Sequence, residues 1–395
     1  MIFRILEDQF REKSKANKMA DKQAAKDADR RFMELALALG RRGLGRTWPN
    51  PAVGAVVVRD GVIVGRGWTQ PGGRPHAEPE ALGRAGEAAK GATLYVTLEP
   101  CSHFGKSPPC ADAIITAGIS RVVAAIEDPN PEVAGKGLAK LRAAGISVDV
   151  GLLAEEAAHD HAGHFRRIRE RRPHVILKLA VSADDKIAAS GHKPVAITGE
   201  AARTRVHLLR AQCDAILVGI GTVLADDPML TCRLPGMAAR SPVRVVLDRS
   251  LRIPASSHLV HSARETQLWV VTSELAEAAA AARLGAAGAQ VIRVAPSAAP
   301  GLDLPAVLHA LAEKGITRLL VEGGSRVASS FVAADLVDEV LMLRAPDAIG
   351  DDGIAALDAL PLSEITQSPR LKLRASETLG KDSLSIYERS QARSA

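Results

Sequence analysis

His76, Cys101 and Cys110 must meet at one point if this chain is to hold a metal ion, and that demand constrains the fold more than any other feature. The histidine opens H-A-E, with Glu78 two residues on, and the cysteines frame P-C-x8-C. A neutral imidazole and two thiolates suit zinc, and three protein ligands leave the fourth tetrahedral position open for water. A structural zinc takes four protein ligands instead, and His103, between the cysteines, is a candidate for the fourth. Glu78 favours the open site. A carboxylate beside a three-ligand zinc can move protons to and from its water, as hydrolytic deamination requires. Histidine, two cysteines and a non-ligand glutamate form the zinc-deaminase signature, whose cysteines are usually separated by two residues. The eight residues between them here point away from deaminases that act on nucleic-acid bases.

Apolar periodicity places both arms of this triad. Residues 30–45 carry Phe32, Leu35, Ala36 and Leu39 at helical spacing and end at Gly40 and Gly43. Asn50-Pro51 marks a turn, Val53–Val58 reads as a buried strand, and Asp60-Gly61 predicts a hairpin into Val62–Gly65. H-A-E opens a helix with Pro79 in its first turn. Thr93–Leu98 predicts a strand delivering Glu99-Pro100-Cys101, and Cys110 starts a helix over Ala111–Ala117 that stops at Gly118. A strand over Arg121–Ile126, a helix over Lys136–Ala144 and a strand over Ile146–Gly151 follow. Both metal segments thus fall at helix N-termini, where the dipole favours a thiolate. This order predicts a three-layer α/β domain over 29–172, preceded by a charged tail or helix over 1–28. The recognisable pattern begins near Asp29, so Met19 is an alternative start.

A second α/β pattern occupies 173–395. Strands are expected at Val175–Val181, Ala215–Gly219, Val243–Asp248, Gln267–Thr272, Gln290–Val294, Arg318–Glu322 and Val340–Arg344. Helices are expected at Ala201–Ala211, Ser273–Leu284, Leu304–Lys314 and Arg326–Ala334. Gly323-Gly324 lies between a strand and a helix, where backbone N–H groups can approach a phosphate. Gly219-Ile220-Gly221 is not a dinucleotide fingerprint, because Leu224 stands where the third glycine belongs. Arg249, just past a strand, is a candidate partner for a 2′-phosphate.

At 395 residues the chain has room for two domains, and with 3% aromatics their cores must be built from Ala, Val, Leu and Ile. No apolar run reaches the roughly 20 residues that span a bilayer, and no secretory signal opens the chain. No membrane partner is expected. A net charge of +6 suits nucleic acid or phosphorylated small molecules. The run Arg166-Arg167-Ile168-Arg169-Glu170-Arg171-Arg172 carries no interleaved aromatics for base stacking, so it reads as a solvated connecting helix and no nucleic-acid partner is expected. His159, His161 and His164 form H-x-H-x-x-H, read as a partly exposed joining helix, with a second metal site as the alternative. Cys213 and Cys232 read as small buried residues, and the expected compartment is a reducing cytoplasm.

Pro49-Asn50-Pro51-Ala52-Val53-Gly54, H-A-E, and Thr97-Leu98-Glu99-Pro100-Cys101-Ser102-His103-Phe104-Gly105-Lys106-Ser107-Pro108-Pro109-Cys110 together resemble the riboflavin-pathway deaminase that is fused to a reductase. Its two activities are diaminohydroxyphosphoribosylaminopyrimidine deaminase and 5-amino-6-(5-phosphoribosylamino)uracil reductase. The second half is similar to the reductase through Lys178–Lys186, Leu208-Leu209-Arg210, Gly221–Thr231 and Val321–Ser325. The resemblance implies a cytidine-deaminase-like α/β/α domain followed by a dihydrofolate-reductase-like α/β domain, with Zn2+ and NADPH as cofactors. It implies zinc on His76, Cys101 and Cys110, Glu78 as the catalytic proton carrier, and the phosphoribosyl pyrimidine on Asn50, His103 and Lys106. In the second half it implies NADPH against Ala180, Ala196, Thr222, Asp226 and the run Gly324, Ser325, Arg326, Val327, Ala328, Ser329 and Ser330, with Arg249 added from its position. Arg210, Leu230, Arg233 and Glu322 would face the substrate, and the hydride would reach C1′ of the sugar. A homo-oligomer, dimer or tetramer, is expected. Two positions depart from the pattern. Asp185 replaces the glycine of S-x-D-G-K, and Ala196 stands where an aromatic residue is common.

The rival enzyme reading is a nucleoside or tRNA base deaminase with an unrelated C-terminal domain. A rival of another class is a basic zinc module that binds nucleic acid.

Overall fold

Period-two apolar runs and helical stripes alternate along the chain, and each run becomes a strand with a distinct core on either face. A computed structural model describes residues 2–105, 107–190, 197–296, 301–358 and 360–390, so Lys106 and Ala196 lie outside the described residues. The chain divides into two compact units, residues 1–43 with 51–165 and residues 44–50 with 166–395.

The first unit contains α1 (Ile2–Arg41), β1 (Gly54–Arg59), β2 (Val62–Trp68), α2 (Ala77–Ala85), β3 (Thr93–Val96), α3 (Cys110–Thr116), β4 (Arg121–Ala124), α4 (Lys136–Ala143), β5 (Ser147–Val150) and α5 (Ala154–Asp160). α6 (Ala162–Glu170) carries the chain onward. The sheet order is β2-β1-β3-β4-β5; β1 runs antiparallel to β2 and β3, whereas β3, β4 and β5 are parallel. Alternation separates its faces. Ala55, Val57, Leu94, Val96, Val122 and Ala124 pack with α2, α3 and α4. Val56, Val58, Tyr95 and Val123 pack with Met33, Ala36 and Leu37 of α1 and Ala157 of α5. The three layers expected from sequence are present.

The second unit runs β6 (His174–Val181), β7 (Lys186–Ala188), α7 (Glu200–Gln212), β8 (Ala215–Gly219), α8 (Ile220–Asp226), β9 (Val243–Leu247), α9 (His258–His261), β10 (Leu268–Ser273), α10 (Ala278–Ala286) and β11 (Gln290–Val294). It continues with α11 (Leu304–Glu313), β12 (Arg318–Val321), α12 (Ser325–Ala333), β13 (Glu339–Arg344), β14 (Ile354–Ala355), α13 (Ser363–Thr366), β15 (Leu371–Leu379) and β16 (Asp382–Arg389). The nine-stranded sheet is ordered β11-β10-β9-β8-β12-β6-β13-β16-β15. All of its pairings are parallel except those made by β16, which runs antiparallel to β13 and β15. One face buries Val175, Leu177, Leu217 and Leu319 under α11 and α12, and the other buries Ile176, Ile216, Val246 and Leu320 under α7 and α10.

Three expectations change. The helix expected from Ser273 begins at Ala278, because β10 extends through Ser273 and the Glu274 N–H continues the ladder to Val294 O. The basic run after Phe165 is solvated only in part: Arg169, Glu170 and Arg171 are exposed, but Arg167 donates to Ala312 O at 2.9 Å, and Arg172 pairs with Asp338 at 2.6 Å. Nor is H-x-H-x-x-H a partly exposed helix. His161 and His164 are buried, with Nε2 of His161 at 3.1 Å from Thr97 Oγ1 and Nε2 of His164 at 3.0 Å from Asp128 Oδ1. Among the described residues, this motif is not part of any group placed to hold a metal.

Candidate active sites

Two glycines fix the arm that carries His76. On β2, a Cβ at Gly65 would lie 2.2 Å from Ala81 O and one at Gly67 would lie 2.3 Å from Ala77 O, so α2 rests backbone against strand. His76 is the N-cap residue of α2, and Glu78 in its first turn points inward with 3% exposure. The opposing arm leaves β3 and reaches Cys101; its carbonyl accepts from Ala111 N at 3.1 Å, and its Sγ accepts from Cys110 N at 3.3 Å.

These arms bring one nitrogen and two sulfurs together. His76 Nδ1 lies 3.3 Å from Cys110 Sγ and 3.8 Å from Cys101 Sγ, and the three donor atoms all fall within 4.8 Å of one another. Ligands at the usual zinc distances on a tetrahedron are separated by about 3.5 Å for N···S and about 3.8 Å for S···S. The donor set and its spacing fit zinc. His103 is exposed and stands outside the group, so the three-ligand reading holds over a fourth protein ligand. A hydrogen bond from the Cys110 thiol holds Cys101 well below the ordinary thiol range, against burial. Burial pushes the Glu78 carboxyl up to about 7, with the His76 charge pulling the other way and a hydrogen bond linking Glu78 to the Cys110 thiol. Its place beside the three donors suits this carboxyl to carrying protons.

The second constellation lies at the C-terminal ends of β6, β8 and β12, where open parallel sheets bind ligands. A cleft there is lined by Lys178, Ala180, Thr222, Asp226, Glu322 and Gly324, together with Leu179, Ile187, Ile197, Thr198, Arg203 and Gly323. The sequence placed four of these residues against a cofactor (Ala180, Thr222, Asp226 and Gly324) and Glu322 against substrate. Gly324 is the N-cap of α12, and a Cβ added to it would make only ordinary contact, 3.5 Å from Thr222 Oγ1. Glu322 accepts from Arg210 Nε at 2.8 Å and from Arg210 Nη2 at 2.9 Å, with Lys178 Nζ 3.8 Å away. Burial pushes the Glu322 carboxyl up, yet Arg210 and Lys178 more than offset it and leave it below the ordinary range. Burial lowers Lys178 in turn, opposed by Glu322.

Other expected residues lie off this cleft. Ser325 is half-buried and Arg326 exposed; Val327 packs onto Gly219 and Gly323, Ala328 and Ser329 are buried, and Ser330 donates to Arg326 O. Leu230 is 4% exposed within the core, and Arg249 is exposed beyond β9. Exposed Arg233 donates its backbone N–H to His207 Nδ1, and burial with the Arg210 and Arg233 charges lowers the His207 pKa. Asn50 closes a turn with Thr47, its N–H on Thr47 O at 2.9 Å, within the 44–50 segment of the second unit. Lys178 was missed as a site residue. Its signal was a lone lysine inside the apolar run of a central strand, between neighbours β12 and β13.

The Asp185 departure is absorbed locally. Asp185 adopts φ 62°, the left-handed region that aspartate tolerates better than most residues, and its carboxylate pairs with Arg344 at 2.6 Å.

Residues 26–126 match the family described as the cytidine and deoxycytidylate deaminase zinc-binding region, and residues 173–385 match the RibD C-terminal domain. The riboflavin biosynthesis protein RibD of Aquifex aeolicus (strain VF5) is 43% identical over 364 residues, covering 92% of this chain and 99% of its own. RibD of Escherichia coli (strain K12) is 40% identical, covering 90% and 97%. The solved structure of Acinetobacter baumannii RibD, form 1, superposes with a TM-score of 0.81 at 36% identity, over 93% of this chain and all (100%) of that one. The Thermotoga maritima deaminase/reductase gives 0.80 at 36% identity with the same coverage, 93% and 100%.

Two α/β units, one with a zinc-type deaminase centre and the other with a reductase fold, define a fused deaminase and reductase. The chain belongs to the RibD family of riboflavin biosynthesis proteins. A base deaminase with an unrelated C-terminal domain is thereby set aside, since the second half is itself a RibD domain. Among the described residues no helix is long and apolar enough to cross a membrane.

Proposed function

We propose that the unit around His76 deaminates 2,5-diamino-6-(5-phosphoribosylamino)pyrimidin-4-one and that the cleft around Glu322 then reduces the product's ribosyl group to ribityl. The observation that carries the first step is the convergence of His76, Cys101 and Cys110 beside buried Glu78. His76, Cys101 and Cys110 would hold the zinc, which when bound would supply Lewis-acid activation of the attacking water. Glu78 takes a proton from the attacking water and delivers it to a ring nitrogen, then carries a second proton from the newly added hydroxyl to the amine, which leaves as ammonia as the C=O forms. His103, with Asn50 and Lys106, is assigned to the substrate in keeping with the family likeness.

For the second step Ala180, Thr222, Asp226 and Gly324 would hold NADPH, which when bound would supply a hydride to C1′. The Arg210–Glu322 pair and Arg233 orient the phosphoribosyl group. As the C1′–O4′ bond opens, O4′ takes a proton; Lys178, held beside Glu322 with a lowered pKa, is the donor in reach of the cleft. The domains assigned to the two reactions are 29–172 and 173–395. The nine residues of β15 form an exposed outer strand of the sheet. Such an edge is covered in a homo-oligomer, a dimer or tetramer. A reducing cytoplasm suits the free thiols the zinc site needs.

Purified protein given the phosphoribosylated diaminopyrimidine and NADPH should release one ammonia for each NADPH oxidised. Ammonia release with no oxidation would overturn the second assignment, and oxidation with no ammonia would overturn the first.

A further inference from the structure

Glu99 sits two residues before Cys101, is 4% exposed, and has no part in the chemistry described above. Its carboxylate is caged by backbone. Oε2 accepts from Asp128 N at 3.3 Å and Gly135 N at 2.9 Å, while Oε1 accepts from Gly137 N at 2.9 Å and Leu138 N at 3.3 Å. Gly137 and Leu138 belong to the first turn of α4, whose N–H groups have no partner within the helix. The same helix start is pressed onto the metal arm: a Cβ at Gly137 would lie 2.0 Å from Pro100 O. Pro100 is the residue between Glu99 and Cys101.

Further buried ties extend from this cage. Asp128 accepts from His164 of α6 at 3.0 Å and from Asn130 N at 2.9 Å. His161 meets Thr97 Oγ1 at 3.1 Å, and that oxygen also accepts from Gly54 N at 3.1 Å. Two of the three histidines of the otherwise unassigned H-x-H-x-x-H motif, His161 and His164, thus hold segments that flank the Cys101 arm.

We propose that Glu99 is a positioning residue for the deaminase centre, clamping the turn that carries Cys101 onto the loop and helix that follow β4. The inference rests on the reading of Cys101 as a metal ligand. A ligand must be held to within about half an ångström, and residues behind metal ligands commonly change affinity or activity 10- to 100-fold when replaced. Geometry explains why the residue is a carboxylate. All four partners are donors, so both oxygens must accept, and a glutamine would turn an NH2 group toward two of them.

Cobalt(II) substituted into the full-length chain reports the ligand geometry directly through its thiolate charge-transfer and ligand-field bands. In Glu99→Gln these bands should shift, cobalt affinity should fall roughly 10- to 100-fold, and kcat of deamination should fall with KM little changed. Faster amide exchange at Gly135 and Gly137 should accompany the shift. Gly137→Ala leaves the carboxylate in place but displaces Pro100, and it should move the same bands; it serves as the test should Glu99→Gln fail to fold. Bands, affinity and kcat within twofold of the parent in Glu99→Gln, or in a folded Gly137→Ala, would overturn the proposal. A parent protein lacking a thiolate band would overturn the ligand assignment beneath it, a result distinct from unchanged bands in the variants.

Discussion

Asp338 offers a stability prediction whose size follows from its surroundings. Its carboxylate is 1% exposed, receives Arg172 through two contacts of 2.6 and 2.8 Å, and accepts Val175 N at 2.9 Å at the start of β6, the strand that carries Lys178 and Ala180. Burial raises its pKa, but Arg172, His174 and Arg166 outweigh burial and hold it at about 2, against 3.8 for a free aspartate. A carboxyl depressed on folding stabilises the folded state above its unfolded pKa and loses that contribution as pH falls through its folded pKa. At 1.36 kcal/mol per unit, this shift is worth roughly 2 kcal/mol at pH 6 and roughly 1 kcal/mol at pH 3. Asp338→Asn removes the titration and keeps the shape. Denaturant unfolding of the second unit, followed through Trp48 and Trp269 in a Trp68→Phe background, should show parent and variant separated by about 2 kcal/mol or more at pH 6. The gap should narrow by about 1 kcal/mol at pH 3. A gap that stays constant or widens as pH falls would refute the reasoning.

Three other outcomes are expected. Stripping metal with a chelator should abolish ammonia release and leave NADPH oxidation with the deaminated intermediate unchanged, and added zinc should restore the first activity; a parallel loss of both would contradict separate sites. Glu322→Gln leaves Arg210 and Lys178 as neighbouring cations without a counter-charge, so reductase kcat/KM should fall at least 100-fold while deamination persists; a loss under threefold would remove Glu322 from the site. Asp185→Gly relieves a left-handed φ of 62° but gives up the Arg344 pair and adds unfolded-state freedom. Its melting temperature should therefore change by less than about 1 kcal/mol equivalent, and a much larger loss would show that the Arg344 pair dominates the turn.

The deaminase centre was legible because its chemistry needs particular side chains at particular spacings, and apolar runs placed His76 and Cys110 at helix starts. Strand β8 matched its apolar run end to end, since burial on both faces leaves a continuous hydrophobic signal. The final hairpin was not legible. In β15 the residues after Leu371 are almost all exposed, so no buried face imposes alternation on them. His161 and His164 look like solvent-facing residues beside a basic run, and only the fold shows Thr97 and Asp128 waiting for them. Lys178 carried a readable signal, yet its meaning depended on Glu322, which lies far along the chain and reaches it only because β12 inserts beside β6.

The central claim is that two separate sites act in order, deamination before reduction. Glu78→Gln tests it most directly, assayed for ammonia and for NADPH oxidation with each of the two substrates. On the diaminopyrimidine the variant should retain zinc yet yield neither ammonia nor oxidation, and on the deaminated intermediate it should oxidise NADPH at the parent rate. Oxidation of NADPH by the variant on the diaminopyrimidine, with no ammonia released, would contradict the order, and ammonia released at the parent rate would contradict the assignment of Glu78.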